Sequence, residues 1–179
     1  EVKGVRKAAE AFQQLPTEIR HRCELHIFGS GDADLLEHLR QMPEVVVHDS
    51  QSPQHLRRFA SRHRCCGLVL YTEQPRYRLI GTNSRKFYEY LALGMPVIST
   101  SVGELPQVLE THRAGLVISA NINCDELADS MRRLAESNGL WEKLSEHARQ
   151  WMERPEMTWE NEWHKVVSSG ILDGLRRAG

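Results

Sequence analysis

No apolar run in the 179 residues approaches the about 18–20 that a membrane span would need. Charge of one sign is equally lacking. The chain has 23 basic and 24 acidic side chains, for a formal net charge of −1. Nucleic-acid binding, which shows as a strong basic excess, has no electrostatic case here. Cysteine is sparse, and the four present (Cys23, Cys65, Cys66, Cys124) form no CxxC pair. Vicinal cysteines bridge poorly and the spacing is not that of a small stapled domain. A reducing, cytoplasmic setting is the expectation. Nine histidines show neither HxH nor HExxH spacing, so core or surface positions explain them better than a metal site. There is no internal repeat and no low-complexity segment. The chain opens Glu1-Val-Lys-Gly, with neither a methionine nor a signal peptide, and reads as a fragment or a processed chain.

What is present has globular proportions, 40% hydrophobic and 26% charged. The length suits one domain with a core of ordinary size. Helix and strand patterns alternate almost throughout. Val5, Ala8, Ala9, Phe12 and Leu15 recur at helical spacing, and Pro16 stops the run. A strand is expected over Leu25–Phe28, ended by Gly29-Ser30-Gly31, with a helix from Asp32 or Ala33. Val45–Val47 reads as a strand, and Pro53 opens a helix carrying Leu56 and Phe59. Gly67–Tyr71 is a third strand, and Thr72–Asn83 a loop. A helix starting at Ser84 closes at Gly94, and Met95-Pro96 turns into a strand from Val97. A helix near Glu104–Leu109 leads to a strand over Gly115–Ile118. Beyond Asp125 the pattern is helical, with breaks near Gly139 and Pro155.

Short apolar strands separated by helices predict a doubly wound parallel α/β sheet covered on both faces. Ligands of such sheets sit at the carboxyl ends of the strands. That directs attention to the loops at 29–32, 48–53, 72–85 and 99–105.

Glu89 is the only charged residue among the twelve from Phe87 through Ile98. A carboxylate buried in that setting would need a partner. It could accept two hydroxyls of a sugar or ribose, or pair with Lys86 three residues back on a half-exposed face. Ser84-Arg85-Lys86 follows the polar stretch Gly81-Thr82-Asn83 and opens a helix. Two cations in a first turn oppose the helix dipole, and a bound phosphate would remove the conflict. A solvated basic pair behind an Asn83 or Ser84 cap is the plainer alternative. Gly29-Ser30-Gly31-Asp32-Ala33-Asp34 fails as GxGxxG, because Asp34 stands at the third glycine. Asp32 and Asp34 could hold a divalent metal, but helix capping accounts for them without one. The tight turn lets backbone amides approach a ligand. Trp141, Trp151, Trp159 and Trp163 read as core and docking anchors.

Glu89-Tyr-Leu-Ala-Leu-Gly-Met-Pro-Val-Ile-Ser-Thr100, followed by Val102-Gly103-Glu104-Leu105-Pro106, resembles the C-terminal half of the GT-B-type retaining "group 1" glycosyltransferases. Lys3-Gly4-Val5 with Ala8 and Ala11, the Gly29–Asp32 turn and the Gly115–Ile118 strand fall in the family's order. The resemblance spans essentially the whole chain. It implies a Rossmann-like nucleotide-sugar-binding domain over 1–154 and a C-terminal helical extension packing on it over 155–179. The family's N-terminal acceptor domain, with its catalytic histidine, would be absent, so no catalytic residue is expected in this chain.

The resemblance assigns Glu89 to the ribose hydroxyls, as the second of a pair of glutamates separated by seven residues. Lys3, Lys86 and Arg85 fall to the donor diphosphate, with Ser84 at the helix start that faces it. Gly29, Gly31 and Gly103 line the nucleotide cleft. The first glutamate of the pair is Gly81 here, the usual paired glycines are Gly103-Glu104, and a following glutamate is Gln107. The implied activity is transfer of a hexose-type sugar from a nucleotide diphosphate to a glycan or lipid-linked acceptor, with retention. It would need no metal or other cofactor. The partners would be the nucleotide sugar and the enzyme's own N-terminal domain, and peripheral membrane association of the full enzyme is compatible with this. Two rivals remain at this stage. One is an epimerase of the same fold, with Glu104 as its acid/base carboxylate. The other is a non-catalytic nucleotide-sugar-binding module.

Overall fold

The computed structural model describes residues 4–78, 84–158 and 161. Helices α1 (Val5–Gln13) and α2 (Thr17–Arg20) precede strand β1 (Leu25–Phe28). Next come α3 (Ala33–Arg40), β2 (Val45–His48), α4 (Pro53–Arg62), β3 (Gly67–Val69) and α5 (Pro75–Arg78). Helix α6 (Arg85–Ala92), β4 (Val97–Thr100), α7 (Leu105–His112) and β5 (Gly115–Ile118) complete the alternation. Helices α8 (Cys124–Glu136) and α9 (Asn138–Met152) and a 3-10 turn at Pro155–Met157 close it. Among the described residues no helix is long and apolar enough to cross a membrane.

All strand pairs are parallel, as the apolar strand pattern predicts. The strands fall into two hydrogen-bonded groups, β1-β2 and β3-β4-β5. Side chains alternate across β3, β4 and β5 and build a core on each face. Leu70, Ile98 and Ile118 face α1 and α8, in a cluster that also takes in Leu25 and Val45 of the other strand group. Val69, Tyr71, Val97 and Val117 face α6, α7 and α9, beside Phe87, Leu91, Leu105 and Trp151. The result is three layers, helix on sheet on helix, the doubly wound arrangement.

Local chemistry explains the boundaries. Asp32 caps α3 by accepting from the Leu35 amide at 2.8 Å, and Ser52 caps α4 ahead of Pro53. The expected break near Gly139 falls at Ser137, which ends α8 and whose hydroxyl accepts from the Leu140 amide to open α9. Trp141 anchors α9, its indole donating to the Cys65 carbonyl at 2.9 Å while the Arg64 guanidinium lies 5.1 Å from the ring centroid. Trp151 stacks on His112 at 4.0 Å. Trp159 and Trp163 lie outside the described residues, as does most of the extension expected over 155–179. The described cysteines are free thiols, and burial pushes Cys66 up to about 12.

Three details differ from the sequence expectation. Helix α2 fills the stretch after Pro16, docking the buried Ile19. Helix α5 interrupts the expected 72–83 loop. The third strand ends at Val69 because the ladder gives way to side chains. There Thr100 Oγ1 donates to the Tyr71 carbonyl at 2.7 Å.

Candidate functional site

The carboxyl ends of β3 and β4 and the start of α6 come together on one face of the sheet. Helix α6 sits there because Phe87 and Leu91, spaced one turn apart, are fully buried against the β3-β4 surface. That leaves Arg85 and Glu89 on the outward face. Ser84 occupies the N-cap, 2% exposed, yet its side chain caps no amide. Its hydroxyl instead meets the Tyr71 phenol at 3.0 Å. The first turn of α6 contains no acid and holds both Arg85 and Lys86. Positive dipole end and two cations therefore coincide.

Glu89 is not buried. Its side chain is 45% exposed and its Oε1 accepts from Arg85 Nε at 2.7 Å. The sequence suggested an ion pair with Lys86 at i−3; the pair shown is with Arg85 at i−4, because those two share the outward face. Lys86 stands beside Tyr71, its Nζ 4.7 Å from the ring centroid. One carboxylate and two cations thus line one exposed helix edge at the strand ends. The carboxylate can accept hydroxyls, and the cations, at a helix start that the Ser84 side chain does not cap, can hold an anion.

The glycine turns lie at the same ends of the strands. Gly29 follows β1 with φ +133°, a backbone region that side chains rarely adopt, and open space surrounds it. Gly31 follows one residue later, beside the Asp32 cap. Capping occupies Asp32 Oδ1, and among the described residues no group of three or more His, Cys, Asp or Glu side chains could hold a metal. Gly103 follows β4, with Glu104 at the start of α7. Glu104 comes near α6. Burial first, and then its charge, push the Tyr88 phenol up. Ser84, Arg85, Lys86 and Glu89 are therefore brought together, with Gly103 in the turn after β4 and Gly29 and Gly31 in the turn after β1. Lys3 and Gly81 lie outside the described residues. Gly4, next to Lys3, opens α1 with φ +62°. A Cβ there would come within 2.8 Å of Leu70, which precedes Tyr71, so α1 starts beside the end of β3.

Sequence reading passed over Tyr71. Its one available signal was an aromatic at the carboxyl end of an apolar strand, and such residues usually only fill the core.

A family model described as Glycosyl transferases group 1 matches residues 1–137. No curated protein matches the chain. Among solved structures the chain is similar to WaaG, a glycosyltransferase involved in lipopolysaccharide biosynthesis. The TM-score is 0.73 at 19% identity, over 92% of this chain and 43% of that one. Sucrose-phosphate synthase from Thermosynechococcus elongatus gives 0.73 at 18% identity, over 99% of this chain and 43% of that one. HepE from Anabaena, in complex with UDP-glucose, gives 0.68 at 19% identity, over 93% and 45%. The chain spans less than half the length of these structures, and at such identities the likeness is one of fold.

Proposed function

The chain belongs to the group 1 glycosyl transferases, and from that premise we propose that it is the donor-binding half of the enzyme. It holds a nucleotide-diphospho-sugar at the carboxyl ends of β3 and β4. The observation that carries the reading is the edge of α6. Glu89 accepts the ribose hydroxyls, while Lys86, Arg85 and the α6 amides hold the diphosphate. The family resemblance assigns Lys3 to the diphosphate as well. Opening the Arg85–Glu89 pair costs little, since an exposed i,i+4 pair contributes about 0.3–0.5 kcal/mol.

In the transfer, the bond between the anomeric carbon and the diphosphate oxygen breaks, and the bonding pair leaves with the diphosphate. An acceptor hydroxyl forms the new glycosidic bond and gives up its proton to the departing diphosphate oxygen. The residues here stabilise the departing charge, which is electrostatic preorganisation. The cation edge supplies that without a metal. HepE is in complex with UDP-glucose, which supports a hexose nucleotide as donor. Retention, and a glycan or lipid-linked acceptor, complete the proposal.

The test is a thermal-shift screen of UDP, GDP, ADP and dTDP sugars against the chain. A ligand at 100 times its dissociation constant should stabilise it by about 2.7 kcal/mol. No shift with any of them at millimolar concentration would overturn the proposal.

A further inference from the structure

Tyr71 is used by none of the assignments above, yet it touches two of them. It follows β3 and is 8% exposed. Its carbonyl is held by Thr100 Oγ1 at 2.7 Å, and its ring stacks on Tyr77 at 4.6 Å between centroids. The backbone is therefore held from β4 and the ring from α5. On its other contacts it meets α6 twice. The phenol lies 3.0 Å from Ser84 Oγ, and Lys86 Nζ stands 4.7 Å from the ring centroid.

Each contact does something that an apolar filler would not. The phenol engages the Ser84 hydroxyl, which then caps no amide, so that hydroxyl does not compete with a ligand for the start of α6. The ring face attracts the ammonium through its quadrupole and narrows the positions of a long, flexible side chain. A lysine ordered before the ligand arrives loses less conformational freedom on binding.

We propose that Tyr71 is a positioning residue for the diphosphate half of the donor: its ring holds Lys86 and its hydroxyl holds the start of α6 through Ser84. This rests on the reading of Lys86 as a diphosphate ligand. It adds that the lysine acts from a rigid platform carried by β3.

The test uses calorimetric titrations of UDP and uridine, or the matching pair for the base selected by the screen. The proteins are the parent, Lys86→Ala, Tyr71→Phe, Tyr71→Leu and the Lys86→Ala/Tyr71→Leu double variant. Tyr71→Leu should weaken the diphosphate about as much as Lys86→Ala and leave the nucleoside unchanged. The double variant should fall below Lys86→Ala by no more than the about 2- to 10-fold that the hydroxyl contributes. Tyr71→Phe keeps the ring and loses the hydroxyl. It should cost the diphosphate about 2- to 10-fold, the size of one neutral hydrogen bond, again sparing the nucleoside. If Tyr71→Leu does not fold, Tyr71→Phe decides. Equal losses for both ligands, or none for either, overturn the positioning role. If Lys86→Ala weakens the diphosphate while neither Tyr71 variant does, this inference alone fails. If Lys86→Ala leaves the diphosphate untouched, the reading of Lys86 fails and this inference with it.

Discussion

Glu89 sits half-exposed in an ion pair, so removing it strips the site of a hydrogen-bond acceptor without opening a hole in the core. Glu89→Ala is expected to weaken nucleotide binding by about 1.5–3 kcal/mol, roughly 10- to 150-fold, the range for hydrogen bonds to a charged group. The fold should survive, because alanine keeps the helix propensity of α6. Calorimetry that returned equal affinities for variant and parent would reduce Glu89 to a surface partner of Arg85. Lys86→Ala should hurt a nucleoside diphosphate more than the nucleoside, and the difference should shrink at high salt, because exposed charges are screened over about 8–10 Å. Gly4 belongs at this scale too. Alanine there would hold φ near +62° with its Cβ 2.8 Å from both Leu70 and Ile122. A loss of about 1–3 kcal/mol is expected, read as a lower melting temperature than that of the parent.

Among the elements, the β1-β2 pair carries a histidine network on the face away from the main core. Phe28 and His48 stack at 4.4 Å, and Phe59 of α4 meets His26 edge-on at 4.6 Å. His26 Nε2 lies 3.0 Å from Glu24, so the neutral ring donates there and its Nδ1 accepts from His48 Nε2 at 2.8 Å. His48 is held below the ordinary histidine value by burial first, then by His26 and His55, with Glu24 opposing. The unfolded chain therefore takes up the proton more readily than the folded one. The contribution to stability is complete above about pH 6.5 and is lost as pH falls through the folded value. His112 shifts the same way, through burial and Arg154 against Glu156. His48→Gln should therefore flatten the acid loss of stability only in part. Thermal unfolding in steps from pH 8 to pH 5 measures it, and an unchanged slope in the variant would sink the idea. Helices α2 and α5 show why some elements were not legible. Each has four residues, too few for a periodic signal, and each forms by docking one buried side chain, Ile19 or Tyr77.

Taken whole, the described residues present the proposed donor edge of α6 with Arg85 and Glu89 outward. The chain should bind a nucleoside diphosphate weakly and transfer no sugar by itself. Exposed charge pairs contribute about 0–1 kcal/mol each, and Arg85 and Glu89 stand 81% and 45% exposed, where water is not excluded to strengthen them. A radiolabelled-sugar transfer assay with the chain alone checks this, and any product would contradict the half-enzyme reading. Nucleotide affinity should also be the same with and without EDTA. A marked loss on chelation would bring back the metal reading of Asp32 and Asp34.

Sequence periodicity settled the parallel α/β architecture, since apolar strands and amphipathic helices announce themselves through local burial patterns. It also singled out α6 as the candidate site, because a lone carboxylate and two first-turn cations violate helix preferences within a few residues of chain. What depended on the third dimension lay in side-chain direction. Whether Glu89 is buried follows from which face of α6 meets β3 and β4, and that was decided by Phe87 and Leu91 packing, not by the apolar run around it. The break between β1-β2 and β3-β4-β5 is a matter of which strands hydrogen-bond, and strand pattern does not encode pairing. The partnership of Tyr71 with Ser84 and Lys86 joins residues 13 and 15 positions apart across a strand end and a helix start. Only packing of α6 onto β3 brings the phenol to the hydroxyl and the ring to the ammonium.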